Sequence, residues 1–221
     1  MHDAGIVTQQ RGLRTATGCF AGERVTVTAF GMGAPIATIV LEELVTLGAR
    51  VLLRAGTAMT LSARLPLGAF VVARGAIRRE GSSLSYAALD YPASAGWRLL
   101  GSCVAALERA SASYQVGLMA SEDGFYSRLF ALTPDRAERV DRELGELRQL
   151  GALAVDMETS ALLTVGSLLG IEAGALCLAT VDAASRARLS APVLATAERQ
   201  LCAVALDAVT STSQSTGVRH E

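Results

Sequence analysis

Residues 24–54 read RVTVTAFGMGAPIATIVLEELVTLGARVLLR, and their pattern decides the fold class. Val25, Val27 and Ala29 alternate with polar residues up to Phe30, which is the period of a half-buried strand. The run breaks at Gly31-Met32-Gly33-Ala34-Pro35, a glycine turn in which Pro35 suits the first turn of a helix. Ile36, Ile39, Val40, Glu43, Leu44 and Leu47 then follow at helical spacing until Gly48 supplies a stop. Ala49 to Arg54 reads as a buried strand. Strand, helix and strand in about thirty residues predict a βαβ unit with a right-handed parallel crossover.

The alternation continues outward from this unit. Further strands are predicted at 69–74, 115–119, 152–155 and 174–181. Helices are predicted at 94–109, at 134–150 with Thr133 as its cap, at 157–169 stopped by Gly170, and at 192–208. Mixed strands and helices in this order predict an α/β protein, a three-layer αβα sandwich around a central mixed sheet. Residues 1–209 read as a single domain, and the Ser/Thr-rich stretch 210–221 reads as a disordered tail. The chain shows no internal repeat and no clear linker.

Composition removes whole classes of function. Of 221 residues 51% are apolar, enough to bury a sizeable core. All 20 basic residues are arginine, spread along the chain and balanced by 21 acids, so no basic stripe marks a nucleic-acid partner. The absence of lysine excludes Schiff-base chemistry, pyridoxal phosphate anchoring and a Walker P-loop. The two histidines, His2 and His220, are terminal, which argues against an internal Ser-His-Asp triad or a zinc site of the H-E-x-x-H type. Cys19, Cys103, Cys177 and Cys202 form no C-x-x-C pair, so no metal is expected and buried free thiols in a reducing compartment are. With no signal-like segment and no apolar run of the ~18 residues a membrane span needs, the sequence reads as cytoplasmic, with no membrane partner.

Ligands of open α/β sheets bind beyond the carboxyl ends of the strands, and four such ends, with Asp182 after a fifth strand, carry chemistry. The Gly31-x-Gly33 turn is either a plain tight turn or a place where backbone N–H groups approach an anion at a helix N-terminus. Arg54, closing the apolar run Val51-Leu52-Leu53, either meets an acid such as Glu43 or, with Gly56 and Thr57, holds an oxyanion such as phosphate. In Asp156-Met157-Glu158-Thr159, Asp156 is either a helix cap or the neighbour of a Glu158 that points into a cleft. A carboxylate there accepts two hydrogen bonds from a vicinal diol such as ribose O2′ and O3′. Phe125 and Tyr126 either stack on a flat base or pack on a helix. Asp182, after strand 174–181, either caps the next element or acts as a general acid if its pKa is raised.

Taken together, the order and spacing of these segments resemble the nucleoside phosphorylase family, its uridine phosphorylase branch in particular. The likeness rests on Phe30-Gly31-Met32-Gly33-Ala34-Pro35 with Ile39, Glu43 and Leu44, on Leu89-Asp90-Tyr91-Pro92, on 120–126 and on 156–159. The resemblance implies a nucleoside phosphorylase-like fold and phosphorolysis of an N-glycosidic bond. Free base and ribose 1-phosphate would be the products, with inorganic phosphate as co-substrate and no cofactor. It implies Arg54, Thr57 and Arg11 at the phosphate, with Arg11 crossing to an adjacent subunit, and the backbone at Gly31 is expected beside them. Met157 and Glu158 would hold the ribose, and Phe125 with Asp182 the base. Asp182 falls within one position of the acid used by purine-cleaving members, so Arg54, Glu158 and Asp182 form the expected catalytic set. The role of Arg11 and the apolar composition together imply a homo-oligomer, a dimer or a hexamer.

Departures from the family pattern carry expectations of their own. Ala29 and Ile36 stand where small hydroxyl residues or glycine are usual. The family's first strand and its Gly-Asp-Pro-x-Arg phosphate loop have no counterpart ahead of Arg11. Leu129 and Ala131 replace the glutamine and arginine that read uracil, and Ala58-Met59 replaces Thr-Gly, giving a narrower and more apolar base pocket. A purine or modified base is expected in place of uracil. A nucleoside hydrolase on the same scaffold, or a non-catalytic nucleoside-binding member, is the alternative.

Overall fold

In the computed structural model, which describes residues 1–10 and 12–216, two sheets form from sequence features of different kinds. Strands β1 (His2–Gln10), β2 (Leu13–Phe20) and β3 (Glu23–Thr28) make an antiparallel meander. Phe20 pairs with Glu23, and the two residues between them, Ala21 and Gly22, both have positive φ. This is the mirror-type turn whose twist matches a hairpin. It also explains the first correction: β3 pairs with β2 in this small sheet and not with the strand after helix α1 (Ala34–Thr46), so residues 24–54 are not a βαβ unit. β1 and β2 had no counterpart in the sequence reading. Their Thr-, Gly- and Gln-rich sequences keep few side chains from water and give no hydrophobic alternation.

The main sheet contains β4 (Val51–Thr60), β5 (Phe70–Arg79), β6 (Ala93–Ser94), β7 (Tyr114–Glu122), β8 (Ala152–Asp156) and β9 (Glu172–Asp182) in the order β6-β5-β7-β8-β4-β9. It is mixed: β5–β7, β7–β8 and β4–β9 run parallel, and β5–β6 and β4–β8 antiparallel. A further antiparallel pairing of β5 with β9 draws the two sides of the sheet together.

Helices cover the sheet on both faces, as the strand alternation demands. Val71, Ala73, Ala175, Cys177 and Ala179 point to one side, where they bury Leu41 of α1 with Leu162, Leu163 and Val165 of α4 (Thr159–Leu168). Their neighbours Phe70, Val72, Leu176 and Leu178 point the other way. There they meet Leu99, Cys103 and Leu107 of α2 (Trp97–Arg109) and Leu201 and Val204 of α5 (Ala191–Thr216). The charged helix α3 (Pro134–Gln149) buries only Val140, Leu144 and Leu147, against Ala120, Ala152 and Val155 at one end of the sheet. The result is the mixed αβα architecture expected of a nucleoside phosphorylase-like protein.

Two further corrections concern boundaries. α5 continues through Thr216, so the stretch from Thr210 onward is not a disordered tail as far as it is described. Thr210 and Thr212 are buried and donate their hydroxyls to Leu206 O and Ala208 O, which satisfies inside a helix the polar groups that read as a tail. β4 runs six residues past Arg54, so Arg54 lies within a strand and not at its end. β9 continues alongside it as far as Asp182, so the ladder does not stop at Gly56.

Candidate active site

The register of β4 against β9 sets Arg54 opposite Ala175 and Gly56 opposite Cys177. Arg54 is 6% exposed. Its Nη2 donates to Glu158 Oε2 at 2.5 Å and lies 3.4 Å from Asp156 Oδ2, while Nη1 donates to Cys177 Sγ at 2.8 Å. Nε has no partner among the described residues. The guanidinium lies against the bare Cα of Gly56: a Cβ there would overlap Nη1 and sit 2.7 Å from Cζ. Glycine at 56 is thus what allows a planar cation to be buried at this point.

Glu158 arrives from the other side. It sits between the end of β8 and the first residue of α4, is 5% exposed, and its Oε1 accepts the Gly33 N–H at 2.6 Å. Gly33 is the N-cap of α1, held at φ 99° in the region glycine favours. The anion that the Gly31-x-Gly33 turn was read to approach is, in this structure, the carboxylate of Glu158, placed where the helix dipole favours negative charge. Gly33, not Gly31, supplies the donor. Gly31 is exposed beside it.

Asp156 holds this assembly from beneath. Its carboxylate accepts the N–H groups of Glu158 and Thr159 and the hydroxyls of Thr159 (2.5 Å) and Ser121 (2.6 Å). The cap reading of Asp156 is therefore right about its bonds, and its place 3.4 Å from Arg54 makes it a second counter-charge as well. The network continues inward. Ser160 N–H donates to Ser121 Oγ, Ser160 Oγ donates to Glu80 Oε1, and Glu80 Oε2 accepts the Ser83 N–H. Buried Arg78 closes it by donating to Ser83 Oγ and to the carbonyls of Ser83, Ala87, Ala88 and Tyr91. Sequence reasoning missed Ser121, Ser160, Glu80, Arg78 and Cys177. The apolar setting of Arg78 and Glu80 at the end of β5 was the available signal, because charges there must find partners.

Charge balance follows from this geometry. Burial works against the Arg54 cation, but the neighbouring Asp156 and Glu158 outweigh it and raise its pKa. Burial pushes the Cys177 thiol up to about 12 in spite of Arg54, so it is neutral at physiological pH. The two acids therefore carry the counter-charge: one guanidinium faces two carboxylates.

The remaining expected residues fall into three groups. Glu43 is exposed on α1, and the salt bridge considered for Arg54 goes to Glu158 instead. Thr57 is exposed on β4, three residues beyond Arg54. Phe125 begins a single π-helical turn, Phe125–Leu129, and packs with Met157, Met59 and Val181 against the cluster built on Leu129 and Val155. Its ring is edge-on to Tyr126 at 5.0 Å and stacked on Phe130 at 6.1 Å. Met59 fills space in that cluster. Asp182 Oδ1 accepts the N–H groups of Ala184 and Ser185 and the Ser185 hydroxyl. The Ser185 backbone and hydroxyl bonds hold its pKa below the ordinary value. A general acid needs the opposite shift, so the cap reading is the one the geometry favours. Arg11 lies outside the described residues. Among the described residues no cluster of His, Cys, Asp and Glu could hold a metal ion, and no helix is long and apolar enough to cross a membrane.

A buried Arg–Glu pair at a helix N-terminus thus stands next to a cluster that holds Phe125, Met59 and Met157. The chain belongs to the phosphorylase superfamily, whose family model matches residues 2–210. It is 31% identical over 180 residues to the uridine phosphorylase of Thermococcus kodakarensis, covering 79% of this chain and 64% of that protein. It is 32% identical over 180 residues to the guanosine phosphorylase of Halorubrum lacusprofundi, covering 81% and 69% respectively. The crystal structure of uridine phosphorylase from Vibrio fischeri superposes with a TM-score of 0.82 at 30% identity, covering 95% of this chain and 84% of the other.

Proposed function

We propose that this protein cleaves the N-glycosidic bond of a nucleoside with phosphate, releasing the free base and ribose 1-phosphate. The observation that carries the reading is the carboxylate of Glu158, fixed from behind by the Gly33 N–H and by Arg54. Each oxygen spends one bond on the protein, which leaves lone pairs for the two hydroxyls of a ribose diol. Superfamily membership and likeness to uridine and guanosine phosphorylases support this reading.

The chemistry follows from charge. As the bond from C1′ to the base nitrogen breaks, its electron pair leaves with the base and positive charge develops on the sugar. The surplus negative charge of Glu158 and Asp156 over Arg54 stands fixed nearby, so no solvent has to reorient when that charge appears. A phosphate oxygen then forms the new bond to C1′. Arg54, with the hydroxyl of Thr57 and the backbone at Gly31, is proposed to present that phosphate, Met157 to flank the ribose, and Phe125 to flank the base. The site is taken to work in an oligomer of identical chains.

The test is base release from nucleosides in phosphate buffer by the parent protein and by Glu158→Ala. Losing a charged contact to the reacting sugar lowers turnover by about 100-fold or more. Unchanged turnover in Glu158→Ala would remove the site from consideration.

A further inference from the structure

Beside the base end of this site stands an arginine that no part of the network uses. The segment after β9 doubles back so that Arg188 forms an isolated antiparallel bridge with Val181, and Val181 lies opposite Met59 on β4, two residues beyond Thr57. The Arg188 guanidinium sits over the Phe130 ring at 5.0 Å from its centroid, and Phe130 is stacked on Phe125. Arg186 also lies over Phe130, at 5.4 Å, but its fork is committed, donating to Leu129 O and Asp141 Oδ1. Arg188 is exposed and has no hydrogen bond or ion pair among the described residues. Its guanidinium is seated over an aromatic ring, and its N–H donors make no bond among the described residues.

We infer that Arg188 reads the base, and that it selects 6-oxopurine nucleosides. The inference rests on the proposed function and adds a specificity-determining residue to it. A guanidinium offers donors only, in a planar fork. The fork matches two acceptors side by side, which a 6-oxopurine presents as O6 and N7. Adenine pairs N7 with an amino donor, which faces the fork donor to donor. Uracil has a carbonyl oxygen flanked by C–H along the equivalent edge and takes one bond at most. Leu129, at the end of the turn that begins with Phe125, is buried in the core, so its side chain does not supply this recognition.

The experiment compares the parent protein with Arg188→Ala and Arg188→Lys, using guanosine, inosine, 7-deazainosine, adenosine and uridine in phosphate buffer. For guanosine and inosine, kcat/KM falls by about 10- to 100-fold in Arg188→Ala, the worth of a bidentate contact, and adenosine and uridine change little. Arg188→Lys keeps the charge without the fork and behaves like Arg188→Ala. The parent discriminates against 7-deazainosine relative to inosine, and Arg188→Ala loses that discrimination. An equal fall for every nucleoside, or an unchanged preference, overturns the assignment while leaving nucleoside cleavage standing. If the parent cleaves none of them, the proposed function fails separately. Calorimetric binding of hypoxanthine then decides Arg188 alone: weaker binding to Arg188→Ala sustains it, equal binding overturns it.

Discussion

Glu158→Gln preserves the shape of the buried carboxylate and reverses half of its hydrogen bonding. Both partners of Glu158 are donors, Gly33 N–H at 2.6 Å and Arg54 Nη2 at 2.5 Å. A glutamine amide has one acceptor oxygen and one donor NH2, so whichever way it turns, a donor faces a donor. With the NH2 toward Gly33, a buried N–H is orphaned, at a cost of about 1–3 kcal/mol. With the NH2 toward Arg54, a buried ion pair is broken, at about 3–5 kcal/mol. The remaining carboxylate of Asp156, 3.4 Å from Arg54, moderates the second value. We expect a loss of about 3 kcal/mol, which for a chain of this size lowers Tm by roughly 6–12 °C. The assay is thermal unfolding followed by circular dichroism at matched protein concentration, with exposed Glu43→Gln as the control. A Tm for Glu158→Gln equal to that of the control would refute the claim that this carboxylate is held between two donors.

Two further substitutions probe the supports of the site. Gly56→Ala introduces a Cβ into the Arg54 guanidinium, and overpacking of this kind costs about 1–3 kcal/mol. Tm should fall and the KM for phosphate should rise, and an unchanged KM would separate Arg54 from phosphate binding. Asp182→Asn tests the cap. Because the folded pKa of Asp182 is depressed, its contribution to stability is complete above the unfolded value near about 3.9 and disappears as pH falls through the folded one. The variant should therefore show a shallower loss of Tm across that acid range, and an identical acid limb would argue that the bonds to Ser185 and Ala184 carry no weight.

How far the sequence could be read depended on whether a residue's constraint was local. The faces of β5 and β9 follow from alternation, and the capping chemistry at Asp156 from its spacing to Thr159. Pro35 and Gly33 mark the start of α1 for the same reason. The partner of β3 was not legible, because hairpin and crossover strands share a period of two, and the positive φ of both Ala21 and Gly22 is what distinguishes the turn. Nor was the depth of Arg54: a charged residue after three apolar ones reads as an end, whereas the bare backbone of Gly56 and the register with Cys177 let the strand continue beneath it. The chain of Ser121, Ser160, Glu80 and Arg78 joins residues up to 80 positions apart, and no local pattern records it. Thr210 and Thr212 read as a polar tail because their hydroxyl bonds to the preceding turn are invisible until the helix exists.

Phosphate, not water, is expected to take the sugar. Purified protein is incubated with purine and pyrimidine nucleosides with and without phosphate, and both base and sugar products are identified. Base release is expected only when phosphate is present, with ribose 1-phosphate as the sugar product. Release in phosphate-free buffer with free ribose would make the protein a hydrolase and contradict this expectation.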